Sequence, residues 1–289
     1  MLVTDVHVHI FEPDTPEHPW PHESGRSSGT AKHPGFSAEE MIGAMGAVGV
    51  DRAVIVPPVW AGENNAPAIA AVERHPGRFA IMGRFDPYAP GAEERLERWL
   101  EQPGMLGIRM SGRWSTTPAP VSEAIEDAGL EWYWAACERL GIRIAFLAGQ
   151  FLPKLAPIAE RHPELRMLID HLGTRGATST AGAFSTVDDL EALSKYPNVY
   201  MKAGTAPNCS SEAYPFTDVH PHVRRIYDAF GARRMMWEAD ITQLGTKNTY
   251  AECIRLWQEG LPFLSSEDRD WILGGTAAEV LNWPEGTER

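Results

Sequence analysis

The chain has 289 residues, of which 43% are hydrophobic, so it is long enough to bury a large core in one α/β domain. Its 39 acidic and 26 basic residues give a formal net charge of −13, which argues against nucleic acid or an anionic membrane as partner. No run approaches the roughly 20 apolar residues of a membrane span, and the first residues, MLVTDVHVHI, lack the pattern of a secretory signal. The three cysteines are widely spaced without CxxC, which favours reduced thiols and a cytoplasmic protein.

Short runs rich in β-branched and other apolar residues predict eight strands along the whole chain. They span residues 2–10, 52–58, 78–85, 106–111, 142–148, 166–172, 198–204 and 234–240. A segment with helical periodicity follows each run, and several of these segments end in Gly or Pro just before the next strand. This regular alternation predicts an α/β fold, a single (β/α)8 TIM-barrel domain over residues 1–289 with C-terminal helices. A doubly wound open sheet is the alternative.

One predicted connection, residues 11–37, is much longer than a usual loop and is rich in Pro, Gly, Ser and His. It follows the first strand, so in a barrel it would lie over the C-terminal face, where active sites are found. We expect a lid or substrate wall that carries His18, Trp20, His22 and His33. A partly disordered insertion is the alternative.

The first strand carries two histidines one residue apart, in the stretch TDVHVHI. Side chains alternate along a strand, so we expect Asp5, His7 and His9 to share one face and to point into the barrel. The sixth strand ends with His171 and the eighth with Asp240, at the same height. Imidazole nitrogens and a carboxylate at one rim would suit zinc or a similar ion, with room for water or substrate. On its own, the HxH pair is also compatible with a surface strand on which the two histidines are simply polar residues.

The other strand ends carry cationic and aromatic side chains. Arg84, Arg109 and Lys202 end the third, fourth and seventh strands, and Trp237 and Glu238 lie near the end of the eighth. With Trp20, we expect these residues to bind substrate. A basic, metal-capable pocket in an acidic chain indicates a small-molecule substrate that carries a carboxylate.

Several motifs together resemble the amidohydrolase superfamily: DVHVH, GIR, IDHLG, VYMKAG, MMWEAD and ILGGTAAEVLNW, in that order. They are most similar to its TIM-barrel metal-dependent hydrolases, which include lactonases and non-oxidative decarboxylases. The resemblance implies that His7 and His9 bind a divalent metal. It implies that Asp240 touches this metal and acts as base toward the nucleophilic water. It also places His171 beside the reacting carbonyl, and Arg109 and Lys202 where they can bind a substrate carboxylate.

The chain departs from this family at four places. The fifth strand, IRIAFLAGQF, has no metal-binding histidine, and the fourth offers Arg109 where many members have a Lys or Glu that joins two metals. We therefore expect at most one metal ion, and a metal-free site with the histidines as electrophiles is the alternative. Glu238 stands where the family tends to have a small residue, and it could raise a neighbour's pKa, bind metal or fill the pocket. Thr276 replaces the Asn of the terminal GGNA motif.

The resulting functional hypothesis is hydrolysis of a small, carboxylate-bearing lactone or a related carbonyl compound by activated water. Asp240 would take the proton of the water and His171 would stabilise charge on the tetrahedral intermediate. One alternative is non-oxidative decarboxylation of an aromatic or unsaturated acid, with Glu238 as a candidate proton donor. Another is a non-catalytic binder of carboxylates. A homo-oligomer is compatible with the sequence, since relatives range from monomers to tetramers.

Overall fold

The computed structural model describes residues 1–16, 35–112, 120–175, 179–244 and 248–283. Within these ranges eight parallel strands form one sheet, in which every strand pairs with the next strand in sequence. The strands are β1 (Thr4–Val8), β2 (Arg52–Ile55), β3 (Phe79–Gly83), β4 (Met105–Met110), β5 (Arg143–Phe146), β6 (Met167–Ile169), β7 (Val199–Ala203) and β8 (Met235–Trp237). Each lies inside or overlaps one of the eight predicted runs.

The first and last strands come together and bring the sheet close to a closed barrel. The backbone N–H of Asp240, just beyond β8, donates to the carbonyl of His7 in β1 at 3.2 Å. The predicted (β/α)8 TIM barrel is therefore confirmed, whereas the open doubly wound sheet is not what the chain forms. That residues 1–289 make up a single domain stays a prediction.

Helical segments follow the strands and cover the outer face of the sheet. Those in the described ranges are α1 (Ala38–Val48), α2 (Ala66–Arg74), α3 (Ala92–Glu97), α4 (Val121–Ala124), α5 (Glu131–Leu140), α6 (Ala156–Arg161), α7 (Thr180–Ala183), α8 (Val187–Leu193), α9 (Ala206–Cys209), α10 (His220–Phe230), α11 (Tyr250–Arg255), α12 (Ser266–Asp270) and α13 (Thr276–Leu281). A capping box formed by Ser265 and Asp268 starts α12. None of the described helices has the length and apolarity that crossing a bilayer requires.

The inside of the barrel is apolar below its C-terminal rim. One buried cluster joins inward side chains of seven strands with the C-terminal helix: Val6, Val54, Val56, Ala80, Met82, Leu106, Ala145, Leu168, Met236, Ala277, Val280, Leu281 and Trp283. Arg143, at the start of β5, donates from Nε to the Val280 carbonyl at 3.1 Å. Because Arg143 begins its strand, α13 closes the N-terminal end of the barrel and leaves the C-terminal end as the open face.

Strand β1 does not keep the simple alternation expected from the sequence. Its register shifts between Asp5 and Val8, and Val6 joins the apolar cluster inside the barrel. Asp5 instead lies at the seam between β1 and β8, where it accepts hydrogen bonds from the backbone N–H of His7 and Ala239 and from the Tyr250 hydroxyl. Burial raises the pKa of Asp5 to about 8. The expectation that Asp5 points inward with the two histidines is therefore wrong, because the irregularity changes which side chains face the interior.

Most of the long connection after β1 lies outside the described residues, and so does Trp20 with the three histidines predicted to accompany it. Its two ends are described. Phe11 and Phe36 exchange backbone hydrogen bonds of 2.9 and 3.0 Å, so the two described ends of this connection lie side by side. The role of this segment as a lid stays a prediction.

Candidate active site

The C-terminal ends of the strands bring most of the predicted site residues together with one that the sequence reasoning missed. The residues at this rim are His7, His9, Arg109, Asp170, His171, Lys202, Glu238 and Asp240. All but His171, which is partly buried, are shielded almost completely from solvent. Interactions among them are therefore only weakly screened by water.

His9 presents one ring nitrogen to the site. Its Nδ1 lies 2.6 Å from the Val56 carbonyl, so this nitrogen carries the proton and donates. The opposite nitrogen, Nε2, is left with a lone pair and lies 3.5 Å from Oδ1 of Asp240. Burial lowers the pKa of His9 to about 3, which makes the neutral imidazole its stable form. A neutral imidazole is the form that binds metal ions.

His7 lies deeper and is surrounded by charged groups. Its Nδ1 is 3.3 Å from Oε2 of Glu238 and 3.8 Å from Oδ1 of Asp170, while Lys202 Nζ is also 3.3 Å from Nδ1. Lys202 is itself ion-paired with Asp170, so the two carboxylates favour a proton on Nδ1. Nε2 of His7 is then the acceptor nitrogen that faces the rim.

The donor atoms of this cluster fit one divalent ion. His7, His9 and Asp240 each offer a ligand atom within 4.8 Å of the others. Within the described part of the chain, His7 Nε2 and Asp240 Oδ1 are buried without a hydrogen-bond partner. Such groups are costly to bury unless something satisfies them, and a nitrogen–oxygen donor set suits zinc or a similar ion. A second group, His7 with Asp170 and His171, shares His7 with the first.

His171 sits on a turn directly after β6. Its backbone is left-handed, with φ of 58°, and Leu172 follows with φ of 52°. Oε1 of Glu238 accepts hydrogen bonds from both the backbone N–H at 2.8 Å and Nδ1 at 2.7 Å, and Nε2 lies 3.8 Å from Oδ2 of Asp240. Burial opposes a charge on the ring, but Glu238 and then Asp240 outweigh it and raise the pKa of His171. The ring can therefore carry a proton next to Asp240.

Asp170 is the site residue that the sequence reasoning missed. Its Oδ2 accepts from Arg109 Nε at 2.9 Å, and its Oδ1 lies 2.8 Å from Lys202 Nζ. Burial opposes its charge, but these two cations hold the pKa of Asp170 well below its usual range. The negative charge of Asp170 thus offsets much of the positive charge expected in this pocket. The available signal was alternation in β6, since Asp170 comes two residues after the inward-facing Leu168.

Two other residues predicted to bind substrate contact protein groups instead. Arg84 is buried and donates from Nη1 to the Ser111 hydroxyl at 2.6 Å and from Nη2 to the Ser111 carbonyl at 3.2 Å, so it fixes the segment after β4. Trp237 is buried in the layer between sheet and helices, with its ring centroid 5.9 Å from that of Tyr250. Alternation places it on the face opposite Glu238. The structure therefore does not bring Trp237 into the rim cluster.

Gly204, directly after β7, makes room for Glu238. A Cβ added at this glycine would lie 2.2 Å from both Cγ and the backbone oxygen of Glu238. We expect Gly204→Ala to lower the free energy of unfolding by about 1–3 kcal/mol, because β8 would have to move. Urea denaturation measures this.

The matched control for that substitution is Gly46→Ala. Gly46 lies within α1, is exposed, and an added Cβ there meets nothing within 4 Å. Alanine in a helix interior is favoured over glycine by roughly 0.5–1 kcal/mol, so this variant should be as stable as the parent or slightly more so. Equal stability of the two alanine variants would show that β8 adapts freely to a side chain at position 204.

Comparison with known proteins places this geometry in context. A family model described as amidohydrolase matches residues 4–283. The 4-sulfomuconolactone hydrolase of Hydrogenophaga intermedia is 27% identical over 281 residues, which cover 92% of this chain and 83% of the relative. The L-fucono-1,5-lactonase of Burkholderia ambifaria is 26% identical over 299 residues, which cover 98% of this chain and 97% of the relative.

Solved structures also share the architecture. An amidohydrolase from Burkholderia multivorans with bound zinc superposes with a TM-score of 0.80 at 20% identity, covering 98% of this chain and 100% of that one. At this identity the similarity establishes the common fold. It agrees with the barrel described above.

Proposed function

The chain belongs to the amidohydrolase family, and from that premise we propose that it hydrolyses a small lactone or a related cyclic carbonyl compound. The observation that carries this proposal is the convergence of His7, His9 and Asp240, with a buried nitrogen of His7 and a buried oxygen of Asp240 lacking partners among the described residues. The names of the two sequence relatives, both lactone hydrolases, support the reaction class.

We assign His7, His9 and Asp240 as the residues that would hold one divalent ion, with zinc as the proposed metal. Such an ion supplies Lewis acidity, which activates water and polarises a carbonyl group. Asp240 takes the proton from the attacking water and passes it to the leaving oxygen of the opened ester. His171, with Nε2 3.8 Å from Asp240, stabilises negative charge on the tetrahedral intermediate.

The proposed substrate carries an anionic group, and Arg109 is the side chain assigned to it. Arg109 uses Nε to bond Asp170, and its guanidinium has further donors on both Nη atoms. Lys202 is also paired with Asp170 and supports the same region electrostatically. Because Asp170 neutralises part of this positive charge, we expect the site to prefer substrates with one anionic group over substrates with several. A cytoplasmic location and assembly into a homo-oligomer stay predictions.

The metal proposal is tested by the metal content of the purified protein. We expect about one equivalent of zinc per chain, since one donor set of this size suits one tetrahedral ion. His9→Ala should lose most of this metal. His162→Ala is the control, because His162 is a buried histidine paired with Glu131 and Glu138 away from the strand ends, and it should retain the metal.

Chelation completes the test. Removal of the metal should abolish turnover, and added zinc should restore it. Full activity in protein without metal would contradict the metal assignment. It would favour the alternative in which the histidines act as electrophiles.

Non-oxidative decarboxylation is the second candidate. The observation that favours it is His171, whose raised pKa and position beside Asp240 would let it deliver a proton to carbon as CO₂ leaves. Glu238 is not assigned as the proton donor. Burial opposes its charge, but contacts with His171 and His7 outweigh burial and lower the pKa of this carboxyl, so it stays ionised. Release of CO₂, instead of acid from a lactone, would identify this reaction.

A further inference from the structure

We propose that Glu238 is a positioning residue whose two oxygens fix the orientation and tautomer of two rim histidines, His171 and His7. The sequence reasoning had assigned Glu238 to the substrate. Its side chain, however, has no exposed surface. We therefore infer that Glu238 acts through the side chains it contacts. The kinetic part of this inference rests on the proposed lactone hydrolysis, and the structural part does not.

The first oxygen holds His171. Oε1 receives the backbone N–H at 2.8 Å and the ring Nδ1 at 2.7 Å, so one atom fixes both the turn and the imidazole. His171 has φ of 58°, a conformation that side chains other than Gly adopt at an energetic cost. Hydrogen bonds to a charged acceptor are among the stronger ones in proteins, and these two offset that cost. The proton then sits on Nδ1, and Nε2 faces Asp240.

The second oxygen faces His7. Oε2 lies 3.3 Å from Nδ1 of His7, and the ring centroids of His7 and His171 are 4.6 Å apart. An ionised carboxylate only accepts hydrogen bonds, so it favours a proton on Nδ1 of both rings. Lys202 Nζ, a donor 3.3 Å from the same nitrogen of His7, opposes this at His7, and Asp170 at 2.8 Å offsets the charge of this lysine. Glu238 thereby favours a proton on Nδ1 of each ring, whether or not Nε2 of His171 also carries one. One carboxylate thus holds His171 by two hydrogen bonds and faces His7 at an ion-pair distance of 3.3 Å.

The packing around Glu238 is built for this side chain. Gly204 has no Cβ at the point where Cγ of Glu238 passes, and a methyl group there would lie 2.2 Å from it. The missing side chain at Gly204 therefore leaves the space that Cγ of Glu238 occupies. Second-sphere carboxylates that orient histidines in this way change activity by about 10–100-fold when they are removed.

The decisive variant is Glu238→Gln, which keeps the size of the side chain but offers one acceptor and one donor. An amide cannot accept from both rings. In one orientation the amide oxygen still accepts from His171, and the NH₂ group faces Nδ1 of His7. The proton of His7 must then move from Nδ1 to Nε2. If the amide turns around, His171 loses both hydrogen bonds instead. Either way one of the two histidines changes its tautomer.

Nitrogen-15 NMR of histidine-labelled protein reads these tautomers directly, before and after chelation. Signals of the two rings are assigned by their loss in His7→Gln and His171→Asn variants. We expect Nδ1–H for both rings in the parent protein after chelation and a changed tautomer for one of them in Glu238→Gln. The kcat for a lactone turned over by the parent, tested with L-fucono-1,5-lactone and 4-sulfomuconolactone, should fall by about 10–100-fold with little change in KM.

Glu138→Gln is the matched control. Glu138 also combines a backbone N–H, that of Glu164 at 2.9 Å, with Nδ1 of a buried histidine, His162, at 3.1 Å. The Glu138→Gln substitution should leave kcat, KM and the tautomers of His7 and His171 unchanged.

The proposal is overturned if either ring of the chelated parent lacks a proton on Nδ1, a result that needs no variant. It is also overturned if Glu238→Gln keeps both tautomers and the parental kcat, or if only KM rises, as for a substrate contact. Should the protein turn over no lactone, the proposed function fails, while a tautomer change in Glu238→Gln still supports the positioning role.

Discussion

Replacing Asp240 with Asn is expected to lower kcat/KM for lactone hydrolysis by about 10²–10⁴-fold, the range over which a positioned general base contributes. The amide cannot take a proton from water. It also removes the negative charge that lies 3.5 Å from His9 Nε2 and 3.8 Å from His171 Nε2. Steady-state kinetics with metal-saturated protein measure the loss, and circular dichroism verifies that the barrel persists.

Asp228→Asn is the control for that result. Asp228 is an exposed carboxylate on α10, ion-paired with Arg224 one helical turn away. Exposed pairs of this kind contribute at most about 1 kcal/mol, and this one lies on an exposed helix outside the barrel, so kinetics should be unchanged. Activity of Asp240→Asn close to the parental level would rule Asp240 out as the base.

Replacing Asp170 with Asn is expected to have the largest effect on stability, a loss of about 3–5 kcal/mol in the free energy of unfolding. Asp170 is fully buried and balances two cations, Arg109 at 2.9 Å and Lys202 at 2.8 Å. Removing its charge leaves both without their counter-ion inside the protein, and that desolvation penalty is the source of the loss. Urea denaturation of the metal-free protein measures it without interference from bound ligand.

The control for Asp170 is Asp188→Asn. Asp188 pairs with Arg225 at 2.8 Å, a similar distance, but its side chain is 89% exposed. Water solvates the arginine when the carboxylate is lost, so stability should change by less than about 1 kcal/mol. Similar small losses for both variants would mean that Arg109 and Lys202 find other partners or water.

The fold could be predicted because it depends on a repeated pattern. Eight apolar runs in phase with helical segments determine the order of the parallel strands, and an error at the end of one strand does not change that order. The same logic places strand ends at a common rim. His7, His9, His171 and Asp240 were therefore expected to meet, and the structure brings them together.

The sequence predictions that were wrong or missing depend on geometry that the periodicity of the sequence does not encode. Asp5 was expected to point inward, but a register shift in β1 turns it toward β8 and Tyr250. Asp170 was not predicted, although alternation marks it, because the family resemblance assigns a role only to the adjacent His171. Its pairing with two cations from other strands joins residues far apart in sequence, and this pairing turns the expected basic pocket into a largely balanced one.

The central claim, hydrolysis of a lactone at this rim, is tested most directly by following acid release from a panel of lactones with zinc-saturated protein. The panel includes lactones that carry one carboxylate, together with L-fucono-1,5-lactone and 4-sulfomuconolactone, the substrates named for the two sequence relatives. The account predicts one acid equivalent per lactone opened, at a rate that Asp240→Asn reduces by about 10²–10⁴-fold. No acid release from any lactone, together with CO₂ release from an aromatic acid, would contradict it.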